Sequence, residues 1–206
     1  MALVKYNNNS ISAVTSAASI PSGALTHIKT LTASSSSTLS FVDGSDGVTL
    51  DATYPIYVFK FINIHPATDN AEFQFNFRDG GSAYDATKTT TFFYADHRED
   101  DAGASLAYDT GRDLAQGTGV AKISRQVRNH NDSGLNGEFN LFSPSSTTFV
   151  KHFIAKNNHV LEGDASINVF TAGYANVTAA IDGVQFSFSS GNIDSGKIKL
   201  YGIKDS

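Results

Sequence analysis

The densest run of ionisable side chains in this sequence is Asp96-His97-Arg98-Glu99-Asp100-Asp101. A hard cation such as Ca²⁺ takes six to eight oxygen ligands, and four carboxylates within six residues offer several of them. The EF-hand spacing is absent, however, and Arg98 sits inside the run. A charge run of this kind reads as a solvated loop whose charges keep neighbouring strand edges from pairing. Asp96, His97, Glu99 and Asp101, with Tyr108 further along, therefore form a candidate ligand-contact loop, and no metal is assigned to it.

Other chemistry finds less support. The six histidines, His27, His65, His97, His130, His152 and His159, include no H-E-x-x-H pair. His152 and His159 are expected to approach one another across a turn, beside Lys151 and Lys156, as surface or satisfied strand residues. There is no G-x-S-x-G, and no two carboxylates stand out as a glycosidase pair. Gly80-Gly81 and Gly117 to Gly119 precede no helix, so neither cradles a phosphate at a helix N-terminus. No cofactor and no enzymatic activity are expected. Tyr84, Tyr94, Tyr108 and Tyr174 fall near predicted loops, where sugar or protein contact is open to them.

The elements that must position these residues are strands. Glu72-Phe-Gln-Phe-Asn-Phe77 alternates strictly, which sends Phe73, Phe75 and Phe77 inward and Glu72, Gln74 and Asn76 outward. Ile56 to Ile64 is apolar on both faces, as in a central strand covered on both sides, and His65-Pro66 closes it. Further strands are expected at 27–31, 39–42, 87–94, 120–127, 138–142, 149–155, 167–170, 184–189 and 198–203. Asp43-Gly44, Asp46-Gly47 and Asp79-Gly80-Gly81 supply turns. Residues 96–119 read as a long glycine-rich loop containing at most one helical turn. No segment of ten or more residues carries a 3.6-residue period.

These features predict an all-β, single-domain antiparallel two-sheet sandwich of eight to ten strands over residues 25–206, with a jelly roll as the leading topology. Residues 1–24 differ in composition and read as an extended N-terminal arm. Its apolar residues Leu3, Val4, Tyr6, Ile11, Val14 and Ile20 are the candidate assembly interface, ordered against the domain or a neighbour.

Composition bounds the partners. The 206 residues include 15 Phe and 8 Tyr, enough for a core without covalent staples, and no Cys. The net charge of −5 comes without a basic block. Lys122, Arg125 and Arg128 read as ordinary solvated residues, so nucleic acid is not an expected partner. Met1-Ala-Leu-Val-Lys5 lacks the features of a signal peptide, and no apolar run reaches the roughly twenty residues that span a bilayer. The expectation is a protein that leaves its cell by lysis or within a particle.

The closing stretch Val184-Gln-Phe-Ser-Phe-Ser-Ser-Gly-Asn-Ile193, followed by Lys197-Ile-Lys-Leu-Tyr-Gly-Ile203, reads as a strand pair that pins the C-terminus. It resembles the close of small β-sandwich virion proteins of tailed bacteriophages, marine ones and cyanophages in particular. Phe61-Ile-Asn-Ile-His-Pro66, Asp79-Gly-Gly-Ser-Ala-Tyr84, Lys88-Thr-Thr-Thr-Phe-Phe93, Ser143-Pro-Ser-Ser-Thr-Thr-Phe149 and Ser190-Gly-Asn-Ile193 are similar to blocks in the same proteins, so the resemblance spans the chain from about residue 54. It implies a non-enzymatic structural protein located in the virion. The expected form is a homotrimer or other cyclic oligomer, contacting the major capsid or tail proteins. A head decoration or cement protein is the leading expectation. A tail-associated, receptor-binding protein that touches host surface glycan is the alternative.

Overall fold

The structure, a computed structural model, describes residues 25–205. The arm residues Leu3, Val4, Tyr6, Ile11, Val14 and Ile20 lie outside them. The described residues are all-β, with no helix among them. The strands are β1 (Leu25–Thr32), β2 (Leu39–Val42), β3 (Ile56–Pro66), β4 (Ala71–Arg78), β5 (Lys88–Arg98), β6 (Ala104–Tyr108), β7 (Leu114–Gly117), β8 (Ala121–Val127), β9 (Leu135–Phe142), β10 (Lys151–Leu161), β11 (Ala165–Ala175), β12 (Gly183–Phe188) and β13 (Ile193–Ile203). Every pairing between them is antiparallel.

Hydrogen bonds connect the strands in the order β1-β13-β3-β9-β10-β8-β4-β12-β2. A second arm leaves β10 through β11 to β5, which carries β6 and β7. β10 meets β8 through one residue pair, Leu161 with Val127. The sheet turns back on itself there, and the body is nearly barrel-shaped.

Period-two burial drives this closure. Phe73, Phe75 and Phe77 are fully buried, as their alternation predicts. Phe139 of β9 stands at the centre of the aromatic core. Its ring centroid is 4.8 Å from that of Phe75, 5.3 Å from Phe153, 5.8 Å from Phe59 and 6.0 Å from Phe186. Most of the core ring pairs meet edge to face, the arrangement the ring quadrupole favours.

Several expectations need correction. The predicted loop over 96–119 contains strand: β5 runs on to Arg98, and β6 and β7 both pair with it. Asp96 and His97 have poor strand propensity. They are nevertheless held from both sides, by Ile167 and Ser166 of β11 and by Ser105 and Ala104 of β6, and such pairing overrides local preference.

The polar face of β4 is not solvated either. Gln74 and Asn76 are buried. Lys122 donates to Gln74 Oε1, and Asn76 donates to the Thr118 carbonyl at 3.1 Å. The final two strands do not pair with one another: β12 lies between β2 and β4, whereas β13 lies between β1 and β3. The C-terminus is pinned, but the closing turn carries the chain between distant parts of the sheet. His152 and His159 both sit on β10 and point to opposite faces, about 23 Å apart along the strand at the usual rise.

Candidate functional site

The β9-β10-β11-β5-β6 portion of the sheet has one face against the interior and one against solvent. In the run Thr89-Thr-Thr-Phe-Phe-Tyr94, parity sends Phe92 inward, fully buried with Ile167 and Val169. The same parity sends Phe93 outward. Opposite Phe93 stand Phe170 on β11 and Tyr108 on β6. Residues directly opposite in an antiparallel pair share a face, so one outward row reads Glu138, Lys156, Phe170, Phe93, Tyr108. The rows on either side of it carry Asn140, Ile154, Ala172 and Thr91, and Asn136, Asn158, Asn168, Ala95 and Leu106.

On its β11-β5-β6 side this outward face is largely apolar, whereas β9 and β10 contribute Glu138, Lys156, Asn136, Asn140 and Asn158 around Ile154. Phe93 is 41% exposed, Tyr108 51%, Ile154 51% and Leu106 76%. The Phe93 and Phe170 rings stack at 4.9 Å with an interplanar angle of 8°. Scattered exposed apolar residues need no explanation, but a contiguous patch marks a contact surface.

At the end where β5 and β10 begin and β11 finishes, the face dips into a groove of about 470 Å³ lined by Thr91, His152, Ile154, Ala172, Gly173 and Tyr174, among others. Gly173 makes the close approach beneath it: a Cβ there would run into the Thr89 carbonyl and sit 2.9 Å from Phe153 Cζ. The His152 and Tyr174 rings flank the groove 5.8 Å apart, tilted by 51°.

The sequence-predicted loop residues do not converge. Asp96 accepts from the Ser105 hydroxyl on the inward side of the β5–β6 hairpin. His97 points outward, with Nε2 3.0 Å from Asp101 Oδ1 and both side chains exposed. The Glu99 amide donates to the Asp164 carbonyl at 2.9 Å. Tyr108 donates to Asp113 Oδ2 at 2.6 Å, and that bond raises the phenol pKa first among its causes. The fork of Arg98 holds Asp100 through two 3.1 Å bonds and keeps that carboxyl below its ordinary range. Among the described residues no three His, Cys, Asp or Glu side chains gather in a way that holds a metal ion. Of the predicted set, Tyr108 joins the apolar face and His97 lies just beyond it.

Sequence reasoning missed the real concentration of charge. Arg112 reaches back from the loop between β6 and β7 to Glu72 at 2.6 Å and Asp109 at 2.6 Å, all three side chains less than a fifth exposed. Lys122 lies 3.4 Å from the other Glu72 oxygen, and the Arg125 guanidinium sits 4.4 Å above the Tyr94 ring. Arg128 pairs with Asp164. The residues read as ordinary solvated cations are thus ion-paired or stacked.

This belt ties the β6–β7 segment onto β4 and β8, which fixes the hairpin carrying Tyr108 and Leu106. Replacing Arg112 with Met takes the nearest cation from two largely buried carboxylates and leaves them the longer contacts of Lys122 to Glu72 and Arg125 to Asp109. The expected loss is about 1–2 kcal/mol, short of a fully buried pair because solvent screens these groups. In urea melts a double variant that adds Glu72→Gln should lose less than the sum of the two single changes.

Burial also took two lysines and a histidine that the sequence gave no reason to bury. Lys88 and Lys151 flank Ala175 in one inward row. Among the described residues both ammonium groups donate only to backbone carbonyls: Lys88 to Ala86 and Gly119, Lys151 to Ser146, Phe149 and Val177. Burial pushes Lys88 down to about 8. His159 is buried with its Nδ1 3.1 Å from Asn157 Oδ1 and, among the described residues, no partner for Nε2. Asn157 spends its amide on the Ile123 carbonyl, so its oxygen accepts and the histidine proton is assigned to Nδ1.

No protein-family model matches this chain, and neither curated proteins nor solved structures provide a match to it.

Proposed function

We propose that the chain is a non-enzymatic structural protein that acts through surface contact. The observation that carries this reading is the contiguous exposed apolar face of Phe93, Phe170, Tyr108, Leu106 and Ile154. Apolar surface left open on this scale is stabilised by covering it. The sequence resemblance supplies the setting: the virion of a tailed bacteriophage, with the chain as a head decoration or cement protein in a cyclic oligomer bound to the major capsid protein. In that setting the returning sheet is one layer of a two-sheet, jelly-roll-like sandwich. Residues 1–24 are an arm laid on a neighbour.

The test is quantitative mass spectrometry of purified particles. A copy number near that of the major capsid protein supports decoration. A few tens of copies supports the tail instead, and absence from particles overturns the setting. The groove walled by the neighbouring His152 and Tyr174 rings and edged by threonine hydroxyls favours a second reading, in which a tail-associated protein takes a host glycan there. Glycan binding that is lost in Tyr174→Ala would support that reading.

A further inference from the structure

We infer that the outward face of β9-β10-β11-β5-β6 is a self-complementary interface, and that its occupant is the same face of a second copy of this chain. The inference rests on the contact-surface reading above and names its partner and geometry.

Area is the first argument. Five strands at the usual spacing, with outward residues running from Ser166 to Tyr174 along β11, make a face of about 24 by 26 Å. Two copies packed across Phe93, one strand off the centre of this face, would overlap over about two-thirds of it and bury about 800 Å² in total, the size of a weak, reversible interface.

Shape is the second. Leu106, at 76% exposure the most prominent apolar side chain of the face, pairs with Ala95, two residues along β5 from Phe93. Ala172, on the groove floor, pairs with Thr91, two residues from Phe93 in the other direction. Leu106 therefore lies one strand and one row from Phe93 on one side, and Ala172 lies one strand and one row away on the other. A two-fold axis lying in the interface across Phe93 brings Leu106 of each copy over the Gly173 groove of the other. Knob and hole meet twice, as an isologous contact requires. On the axis the Phe93 rings of the two copies meet, each already stacked on its own Phe170. The strands of the two copies then cross at about 70°, and stacked sheets about 10 Å apart leave room for one interdigitated layer of side chains.

Charge is the third argument. The ionic residues of these rows, Glu138 and Lys156, stand on the β9–β10 side, away from Phe93 and Tyr108, and their ammonium and carboxylate groups are 3.8 Å apart. Glu138 is also bonded by Lys60 of β3 in the same row, so the charges gather on the β3-β9-β10 side and leave the Phe93 and Tyr108 side free of them.

The test is sedimentation equilibrium of the full chain with circular dichroism as a fold control. Wild-type protein should form dimers, while Phe93→Asp and Leu106→Asp should each weaken association at least a hundredfold with the fold intact. Phe149→Asp, at a 73% exposed site outside the face, should leave association unchanged. The chain has no cysteine, so Leu106→Cys/Ala172→Cys can be bridged by a short bis-maleimide that spans the roughly 10 Å between stacked sheets, and it should yield a covalent dimer that neither single variant yields. A monomeric wild type would overturn the inference, as would association insensitive to the face substitutions. Association abolished by deleting residues 1–24 but untouched by Phe93→Asp would overturn it in favour of the arm. In the last two cases the contact-surface reading survives, whereas absence from virions with a normal face-to-face dimer refutes the setting alone.

Discussion

Acidification should destabilise this protein in a range where its carboxylates are still ionised, and His159 should be the cause. Burial pushes its pKa from 6.5 down to about 3, and the nearby Arg125 charge adds to the shift. The neutral imidazole is the form the fold accepts, so between these two values the unfolded chain binds a proton that the folded one refuses. The contribution is complete above pH 6.5 and falls as pH drops toward 3. At about 1.36 kcal/mol per pH unit, the loss is about 2 kcal/mol by pH 5 and about 5 kcal/mol near pH 3. Carboxylates with lowered pKa, such as Glu138 held by Lys60, add their loss only below their ordinary value of 4.5.

The window from pH 6.5 to 5 is thus diagnostic. His159→Phe keeps a planar ring and forfeits the bond to Asn157, so it is less stable than wild type at neutral pH. Its melting temperature should stay flat from pH 7 to 5 while the wild-type value falls. A parallel fall in both proteins would show that the imidazole is not responsible.

Phe139→Ala should have an effect of similar size at neutral pH. The ring is fully buried and contacts aromatic side chains from β3, β4, β10 and β12. Its removal leaves a cavity bordered by strands on both sides of the core, which cannot collapse without breaking their pairing. Deleting a buried Phe costs about 3–5 kcal/mol, a large part of the 5–15 kcal/mol that holds a typical domain together. The urea midpoint should fall by that loss divided by the slope, which is about 1–3 kcal/mol/M for domains of this kind and should itself be unchanged. Phe93→Ala, on the outward side of β5, should shift the midpoint of the dilute monomer far less. Equal losses for the two would contradict the assignment of core and surface.

These assignments divide what the sequence made legible from what it hid. The alternation of Phe73, Phe75 and Phe77 fixed the inward face of β4, because parity is local. What covers the other face is not local: Gln74 and Asn76 are buried by residues some forty positions downstream. The same limit hid the candidate site. Phe92 and Phe93 are adjacent and chemically identical, and only their register against Phe170 and Tyr108 shows that one belongs to the core and the other to the open face. Asp96 to Asp101 drew attention through charge density, but that density belongs to a hairpin end with locally paired side chains. The belt around Arg112 drew none, because Glu72, Asp109 and Arg112 are separated by up to forty residues and meet only once β4 and the β6–β7 segment come together. Lys88 and Lys151 went unread because carbonyl oxygens, which leave no trace in side-chain patterning, are what satisfies them.

Hydroxyl-radical footprinting of Phe93, Phe170 and Tyr108, in the isolated chain at low concentration and in its native assembly, is the most direct test of a function built on contact. Protection of all three rings in the assembly, with Phe149 labelled equally in both states, is the predicted result. Equal labelling of the face in both states would contradict the account.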